Sequence, residues 1–391
     1  MNMDTNAFFR RQITIIFAVT MLVLAMVQPS FSESSTDRNH GDTPHISATS
    51  AILMEVSTGR ILYEKNKDQR AYPASTTKIM TALLAIENGD LDEGIKVSPK
   101  AIGIEGSSIY LEPGETILLR DLLYGLMLQS GNDAAVAVAE EIGNGMENFV
   151  SMMNSRAEAI GAKNTNFVNP SGLYDENHYT TVYDMALIAR EAMENPLFRD
   201  VSAARSWQAQ RTAGKYNFFS NKNKVVYEYN GGTGIKIGYT KRSGRTLVAS
   251  SERDGMELIC VVMNAPDWFQ DSYKLMDYGY ENFEIIRIIE GGKRLKSEPL
   301  LWGEKGNVFI GMDADLYCPI KKGIAGEASE DVITLQYEGK RGAIAPVARW
   351  QKAGALALYL NGELLCRKRL YYLEDIDNIK RNHGLNLWWD N

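Results

Sequence analysis

The feature that most restricts the fold is a pair of strand hairpins set at the two ends of one long stretch of helical periodicity. Residues 51–56 and 60–64 are apolar, strand-forming runs on either side of Ser57-Thr58-Gly59, and the glycine supplies the positive φ of a tight turn. Residues 246–251 and 256–263 repeat the pattern around Asp254-Gly255. Between them, 75–88, 118–129, 133–142, 146–160 and 181–194 carry apolar side chains three or four apart, the spacing of helices with one buried face. Gly89, Gly143 and Gly161 follow three of these as C-terminal stops. Strands at both ends with helices between predict an α+β domain whose terminal hairpins share an antiparallel sheet, spanning 46–284.

Beyond residue 284 the texture changes. Gly291-Gly292, Gly303 to Gly306, Gly323 to Gly326 and Gly339 to Gly342 punctuate short apolar runs such as 332–337 and 355–360. Regular turns between short strands predict a small all-β domain over 285–373. The tail, 374–391, ends in Leu385, Leu387, Trp388 and Trp389, which offer contact to a membrane surface. Its six charged residues, four acidic and two basic, and the His383-Gly384 interruption favour packing on protein instead.

At the other end, Arg10 and Arg11 precede an apolar run over 13–27, and Ser30-Phe31-Ser32 offers a small-x-small cleavage point. Residues 1–32 read as an export signal, and the polar stretch 33–45 as a short flexible arm with too little apolar surface to hold it in place. The function is then extracytoplasmic. Lys plus Arg total 42 against 49 Asp plus Glu, with no long basic block, so nucleic acid is not an expected partner. Four histidines and three cysteines lie far apart, with no His-x-x-x-His or Cys-x-x-Cys pair, and neither a metal nor another cofactor is expected. Cys260, inside an apolar run, reads as a buried structural thiol.

Three short motifs carry chemistry. Ser75 and Lys78, in Pro73-Ala74-Ser75-Thr76-Thr77-Lys78, stand one turn apart at the start of the first helix. A serine hydroxyl is a poor nucleophile until its proton is taken, and a lysine desolvated by apolar neighbours and near another cation becomes neutral enough to take it. Ser130-Gly131-Asn132 fills a break between two helices, where Asn132 or Asp133 suits helix capping and Ser130 projects from a loop pinned at both ends. Lys236 lies on the otherwise apolar Gly234-Ile235-Lys236-Ile237-Gly238-Tyr239-Thr240, where Gly238 would let a substrate backbone lie against the strand edge. Singly, each has a bland explanation: a solvated helix end, a cap, or an edge lysine that discourages strand pairing.

In order, Ser-x-x-Lys, Ser-x-Asn and Lys-x-Gly resemble the motif set of the penicillin-recognising serine peptidases. Together with 106–111, 130–135, 169–173 and 234–240, the chain resembles a low-molecular-weight penicillin-binding protein of the D-alanyl-D-alanine carboxypeptidase type, strongly over 50–265 and loosely beyond. The resemblance implies that Ser75 attacks the carbonyl between two terminal D-alanines of a peptidoglycan stem peptide, with Lys78 as base. Ser130, positioned by Lys78 and Lys236, would pass a proton to the leaving D-alanine, and Asn132 would hold the substrate amide. The backbone amides of Ser75 and Tyr239 would form the oxyanion hole, and Lys236, Ile237, Gly238 and Tyr239 would line the substrate. β-Lactams would be covalent inhibitors.

One position departs from the family pattern: Ile237 stands where a threonine hydroxyl would bond the substrate carboxylate. Losing a bond to a charged group costs about 1.5–3 kcal/mol, a weakening rather than an abolition. A catalytically impaired peptidoglycan-binding module is the competing reading that this substitution motivates. A β-lactamase would need a Glu-x-x-Leu-Asn loop, and the Leu-Asn pairs at 360–361 and 385–386 have Ala357 and Asn382 in place of the glutamate.

Overall fold

The computed structural model describes residues 43–323 and 331–379. The export segment 1–32, most of the arm and the end of the tail lie outside the described residues. The chain divides into two compact units, one ending at Phe283 and the other beginning at Glu284.

The elements of the first unit, in order, are β1 (Ser50–Glu55), β2 (Ile61–Lys65), α1 (Lys78–Asn88), β3 (Gly94–Lys96), β4 (Thr116–Leu118), α2 (Leu119–Leu128), α3 (Asn132–Ile142), α4 (Met146–Ile160), α5 (Val182–Met193), α6 (Pro196–Ala203), β5 (Ser206–Gln208), β6 (Phe218–Ser220), α7 (Val225–Glu228), β7 (Gly232–Thr240), β8 (Gly244–Arg253), β9 (Met256–Met263) and α8 (Trp268–Asn282). The two terminal hairpins meet as anticipated: the main sheet runs β2-β1-β9-β8-β7, with β1 and β9 antiparallel and Leu53 opposite Cys260. Strand β7, which carries Lys236, is left at an edge.

Every residue of β1 is buried, so the sheet is covered on both faces. Ile52 and Met54 point into the large core made with Ile79 and Leu83 of α1, Leu122 and Leu126 of α2, Phe149 of α4 and Ile188 of α5. On the opposite face α8 presses so closely that a Cβ on Gly279 would lie 2.8 Å from Leu258 and 2.9 Å from Leu53. Helices α6 and α8 were not anticipated. The buried stripe of α8, Asp271, Ser272, Leu275, Met276 and Gly279, has helical spacing, but three of its five members are not apolar. Asp271 earns its place by accepting Ser47 N–H at 3.0 Å and Ala48 N–H at 2.9 Å, tying the chain's entry into the sheet to the last helix.

The second unit is all β: β10 (Phe283–Ile289), β11 (Lys296–Leu301), β12 (Asn307–Gly311), β13 (Leu316–Lys321), β14 (Ile333–Glu338), β15 (Ala343–Ile344), β16 (Lys352–Leu360) and β17 (Glu363–Tyr372). A six-stranded sheet, β14-β16-β17-β12-β11-β15, accompanies the pair β10-β13. Ile289 and Leu316 from the pair bury with Ile310, Leu356 and Leu370 from the sheet. This unit reaches past the boundary read at residue 373: Ile376 is buried and bridges Val347, and Asn378 bridges Gly303.

Candidate active site

Ser75 is half-buried in a single 3-10 turn, Ala74–Thr77, and the α-helix proper starts only at Lys78. The sequence reading of one continuous helix from residue 75 is corrected accordingly. The Pro73 carbonyl draws in Thr76 N–H at 3.3 Å, Thr76 Oγ1 at 2.7 Å and Thr246 Oγ1 of β8 at 3.0 Å, and Ala74 takes a φ of +48°. Tertiary contacts thus wind the first turn more tightly than propensity would. The loop carrying Gly172 packs against the same turn: with φ +83°, a Cβ on Gly172 would lie 1.8 Å from the Ala74 carbonyl oxygen.

Lys78, wholly buried, gathers three oxygens: Ser75 Oγ at 3.0 Å, Asn132 Oδ1 at 2.7 Å and the Ser171 carbonyl at 2.6 Å. Two of these can only accept. A neutral amine has two hydrogens and one lone pair, so with both hydrogens given to Asn132 and Ser171 the lone pair remains for the Ser75 hydroxyl. The neutral form is favoured: burial first, and then the charge of Lys236, push the Lys78 pKa well below its ordinary value, with Asp133 opposing. The Ser-x-x-Lys pair is in hydrogen-bond contact, an arrangement that suits a nucleophile and its base.

Asn132 does not cap α3, whose first-turn Ala134 N–H is taken by the Asp133 carboxylate at 2.9 Å, the other residue named for that purpose. Asn132 Oδ1 holds Lys78 and its Nδ2 donates to the Glu105 carbonyl at 2.5 Å, leaving one N–H of the amide uncommitted. The buried carboxylate of Asp133 accepts the N–H groups of Ile109 and Leu111, both at 3.1 Å, and the Ser108 hydroxyl at 2.5 Å. It fixes the 106–111 segment beside the Ser130 loop. Ser130 is buried with a φ of +63°, but neither lysine bonds it, so the expected support of its hydroxyl by Lys78 and Lys236 is absent from the hydrogen bonds among the described residues.

Lys236 is also fully buried, and burial with the nearby charge of Lys222 lowers its pKa to about 7. Lys222, which sequence reasoning missed, donates to the Gln129 carbonyl at 3.0 Å, next to Ser130. Lys236 with Lys222 close by favours an anion such as a carboxylate. Gly238 also serves a purpose that the sequence did not signal. A Cβ there would stand 2.9 Å from Ser75 N and 2.5 Å from Thr246 Oγ1, so its missing side chain admits the nucleophile's own turn.

The strand edge itself stays open. Arg245, the register partner of Tyr239, sends its carbonyl to Ala265 N–H on the β9 side at 3.0 Å, and Thr240 N–H turns to Ser243 Oγ at 2.9 Å. Backbone groups alternate along a strand, so Tyr239 N–H points out of the sheet. Ser75 N–H, packed against neighbouring Gly238, has no backbone acceptor among the described residues. Two uncommitted N–H groups, one on Ser75 and one on the residue after Gly238, suit an anionic oxygen. Ile237, half-buried, follows Lys236 on this edge and brings no hydroxyl.

Behind Ser75, buried His178 was overlooked. Its Nδ1 accepts Val168 N–H at 3.2 Å, so the proton sits on Nε2, 2.9 Å from Thr77 Oγ1. Burial holds its pKa at about 4, which makes it a neutral strut between the Ala74–Thr77 turn and the 166–180 loop.

A serine with a buried lysine at its hydroxyl, two uncommitted amide donors and two further lysines nearby, on a helical block against a five-stranded sheet, suit a serine peptidase. Residues 37–267 match the D-alanyl-D-alanine carboxypeptidase family model, and 283–378 match that of the penicillin-binding protein 5 C-terminal domain. The chain is 31% identical over 371 residues to the D-alanyl-D-alanine carboxypeptidase DacF of Bacillus subtilis (strain 168), covering 93% of each. It is 32% identical over 364 residues to DacA of Haemophilus influenzae, covering 89% of this chain and 90% of that one. Its structure matches penicillin binding protein 5 of Haemophilus influenzae with a TM-score of 0.68 at 30% identity, over 86% of this chain and 99% of that one. The chain belongs to the D-alanyl-D-alanine carboxypeptidase family.

Proposed function

We propose that this chain removes the terminal D-alanine from peptidoglycan stem peptides ending in D-Ala-D-Ala, through an acyl-enzyme on Ser75. The observation that carries this is the hydrogen-bond set of Lys78, which leaves a neutral amine's lone pair only Ser75 Oγ to face. Lys78 takes the hydroxyl proton as Oγ bonds to the carbonyl carbon, and the N–H groups of Ser75 and Tyr239 hold the oxyanion. The C–N bond then breaks as the leaving amine receives a proton by way of Ser130. Water attacks the ester, the proton returns to Ser75, and a peptide shorter by one residue leaves. Asn132 offers its remaining N–H to the substrate amide, and Lys236, with Ile237, Gly238 and Tyr239 along the edge, receives the terminal carboxylate. Ile237 weakens that contact without removing it.

Such a substrate lies outside the cytoplasmic membrane, in line with the export segment read at 1–32. β-Lactams, whose strained amide imitates the scissile bond, would acylate Ser75. The test is the intact mass of the purified protein after incubation with benzylpenicillin: one covalent adduct, mapped to Ser75 and lost in Ser75→Ala. No adduct at saturating drug would move the reading to a peptidoglycan-binding module without catalysis.

A further inference from the structure

Ser130 has a backbone that needs support from outside itself. Its φ of +63° lies in the left-handed region, which a residue with a side chain keeps only where its surroundings enforce it. Downstream, the chain is pinned by Gly131 N–H on the Gly125 carbonyl at 3.2 Å and by Asn132 N–H on the Ser107 carbonyl at 2.7 Å. Upstream, the pin is Gln129. The last carbonyls of a helix have no partner inside it, and at the end of α2 those of Leu128 and Gln129 both turn to Lys222. Lys222 gives Leu128 its backbone N–H at 3.2 Å and Gln129 its ammonium at 3.0 Å. The buried Gln129 side chain returns the contact, its Nε2 donating to the Ser220 carbonyl at 2.7 Å.

The segment that receives Gln129 is fixed from elsewhere. Asn221 N–H bonds the Arg205 carbonyl at 2.8 Å, Asn221 Nδ2 bonds the Ala204 carbonyl at 2.9 Å just past α6, and Asn221 Oδ1 takes Asn223 N–H at 2.9 Å. Gln129 is thus held to a rigid neighbour through both its side chain and its carbonyl, and that carbonyl belongs to the peptide unit it shares with Ser130. We propose that Gln129 is a positioning residue for Ser130, its side-chain amide holding that peptide so that the Ser130 hydroxyl faces the nitrogen that leaves. The inference rests on the acyl-enzyme reading. In it, Ser130 Oγ gives its hydrogen to the amine nitrogen as the C–N bond breaks, and recovers one from Lys78, which carries the proton taken from Ser75. An amine needs that proton to leave, and a displaced donor delivers it slowly. A thiolate leaves without one, so a thioester does not depend on where Ser130 stands.

The experiment compares kcat/KM on the full chain for two substrates. Diacetyl-L-Lys-D-Ala-D-Ala loses an amine; benzoyl-D-alanyl-thioglycolate loses a thiolate and keeps a terminal carboxylate. Gln129→Met preserves the length of the side chain and removes its donor. It lowers kcat/KM on the peptide about ten- to a hundredfold, the effect of a misplaced catalytic group, and on the thioester by much less. Gln129→Glu, whose carboxylate cannot donate to a carbonyl, shows the same split. Ser130→Ala lowers the peptide about a hundred- to ten-thousandfold, and Gln129→Met added to it costs the peptide nothing more, as two residues acting through one hydroxyl require. A role in stability alone would lower both substrates together. Equal falls on both substrates, an unchanged peptide rate, or a further fall in the double variant overturns the assignment. Penicillin labelling of the unmodified protein tells the failures apart. With a Ser75 adduct, the positioning role falls alone; without one, the acyl-enzyme reading falls and the positioning role with it.

Discussion

Exchanging Lys236 for methionine should abolish substrate recognition and make the protein more stable. The magnitude follows from burial. The ammonium has an ordinary pKa of 10.5 and one of about 7 in the folded chain. Between those values the unfolded chain holds a proton that the folded chain has shed, so stability rises as pH rises from 7 to 10.5. Each pH unit in that window is worth about 1.36 kcal/mol, so the buried charge costs the fold about 3–5 kcal/mol at or below pH 7. Methionine has a similar unbranched stem and no charge. Lys236→Met should therefore gain about 3–5 kcal/mol at pH 7, about half of that near pH 9, and nothing above pH 10.5. Cys260 provides a probe confined to this unit: it is fully buried in β9, and burial pushes its thiol up to about 12. Pulsed alkylation of Cys260 across a urea series, read by peptide mass at pH 7 and pH 9, gives the opening free energy of the sheet without assuming that both units unfold together. Equal urea midpoints for the two proteins at pH 7, or a gain of the same size at both pH values, would refute the reasoning.

Ile237→Thr should raise both acylation by penicillin and turnover of D-Ala-D-Ala peptides about ten- to a hundredfold, the worth of one charged hydrogen bond; unchanged or lower rates would make the isoleucine an adaptation to this cleft. His178 has an ordinary pKa of 6.5 and one of about 4 when folded, so as pH falls from 6.5 to 4 the unfolded chain binds its proton first. About 3–4 kcal/mol of stability is lost across that window, and His178→Gln, tracked by the same Cys260 labelling, should flatten the slope; a parallel slope in the variant would count against it. Gly172→Ala has to clear the Ala74 carbonyl from a left-handed φ, which should cost more than about 2 kcal/mol and slow acylation by drawing Ser171 away from Lys78. A variant with the parent's melting temperature and labelling rate would contradict the packing described here.

Much of the site was legible because its chemistry is local. Ser75 and Lys78 are one turn apart in any helical winding, and a lysine in an apolar strand announces itself. What local reasoning misjudged were residues whose function lies in a distant partner. Asn132 reads as a cap until Lys78 is brought to it from a helix 54 residues away. That Gly238 also makes room for the Ala74–Thr77 turn shows only once the two are packed together. Lys222, Asp133 and His178 carry no spacing pattern of their own. Ser171 acts through a backbone carbonyl, which any residue possesses, and only the Asn169–Leu173 text flagged its loop.

The sequence by itself determined the order and kind of the main elements, the antiparallel meeting of the two terminal hairpins and the reactive types at positions 75, 78, 130, 132 and 236, because periodicity, turn glycines and motif spacing are properties of neighbours along the chain. It could not determine protonation. Lysines at 78 and 236 are ordinary cations in any extended chain, and only when helices and sheet close over both do desolvation and a neighbouring cation, Lys236 for Lys78 and Lys222 for Lys236, force their pKa values down. The tertiary structure decided which atoms face which, and through burial it decided that one of those amines faces a serine hydroxyl with a lone pair.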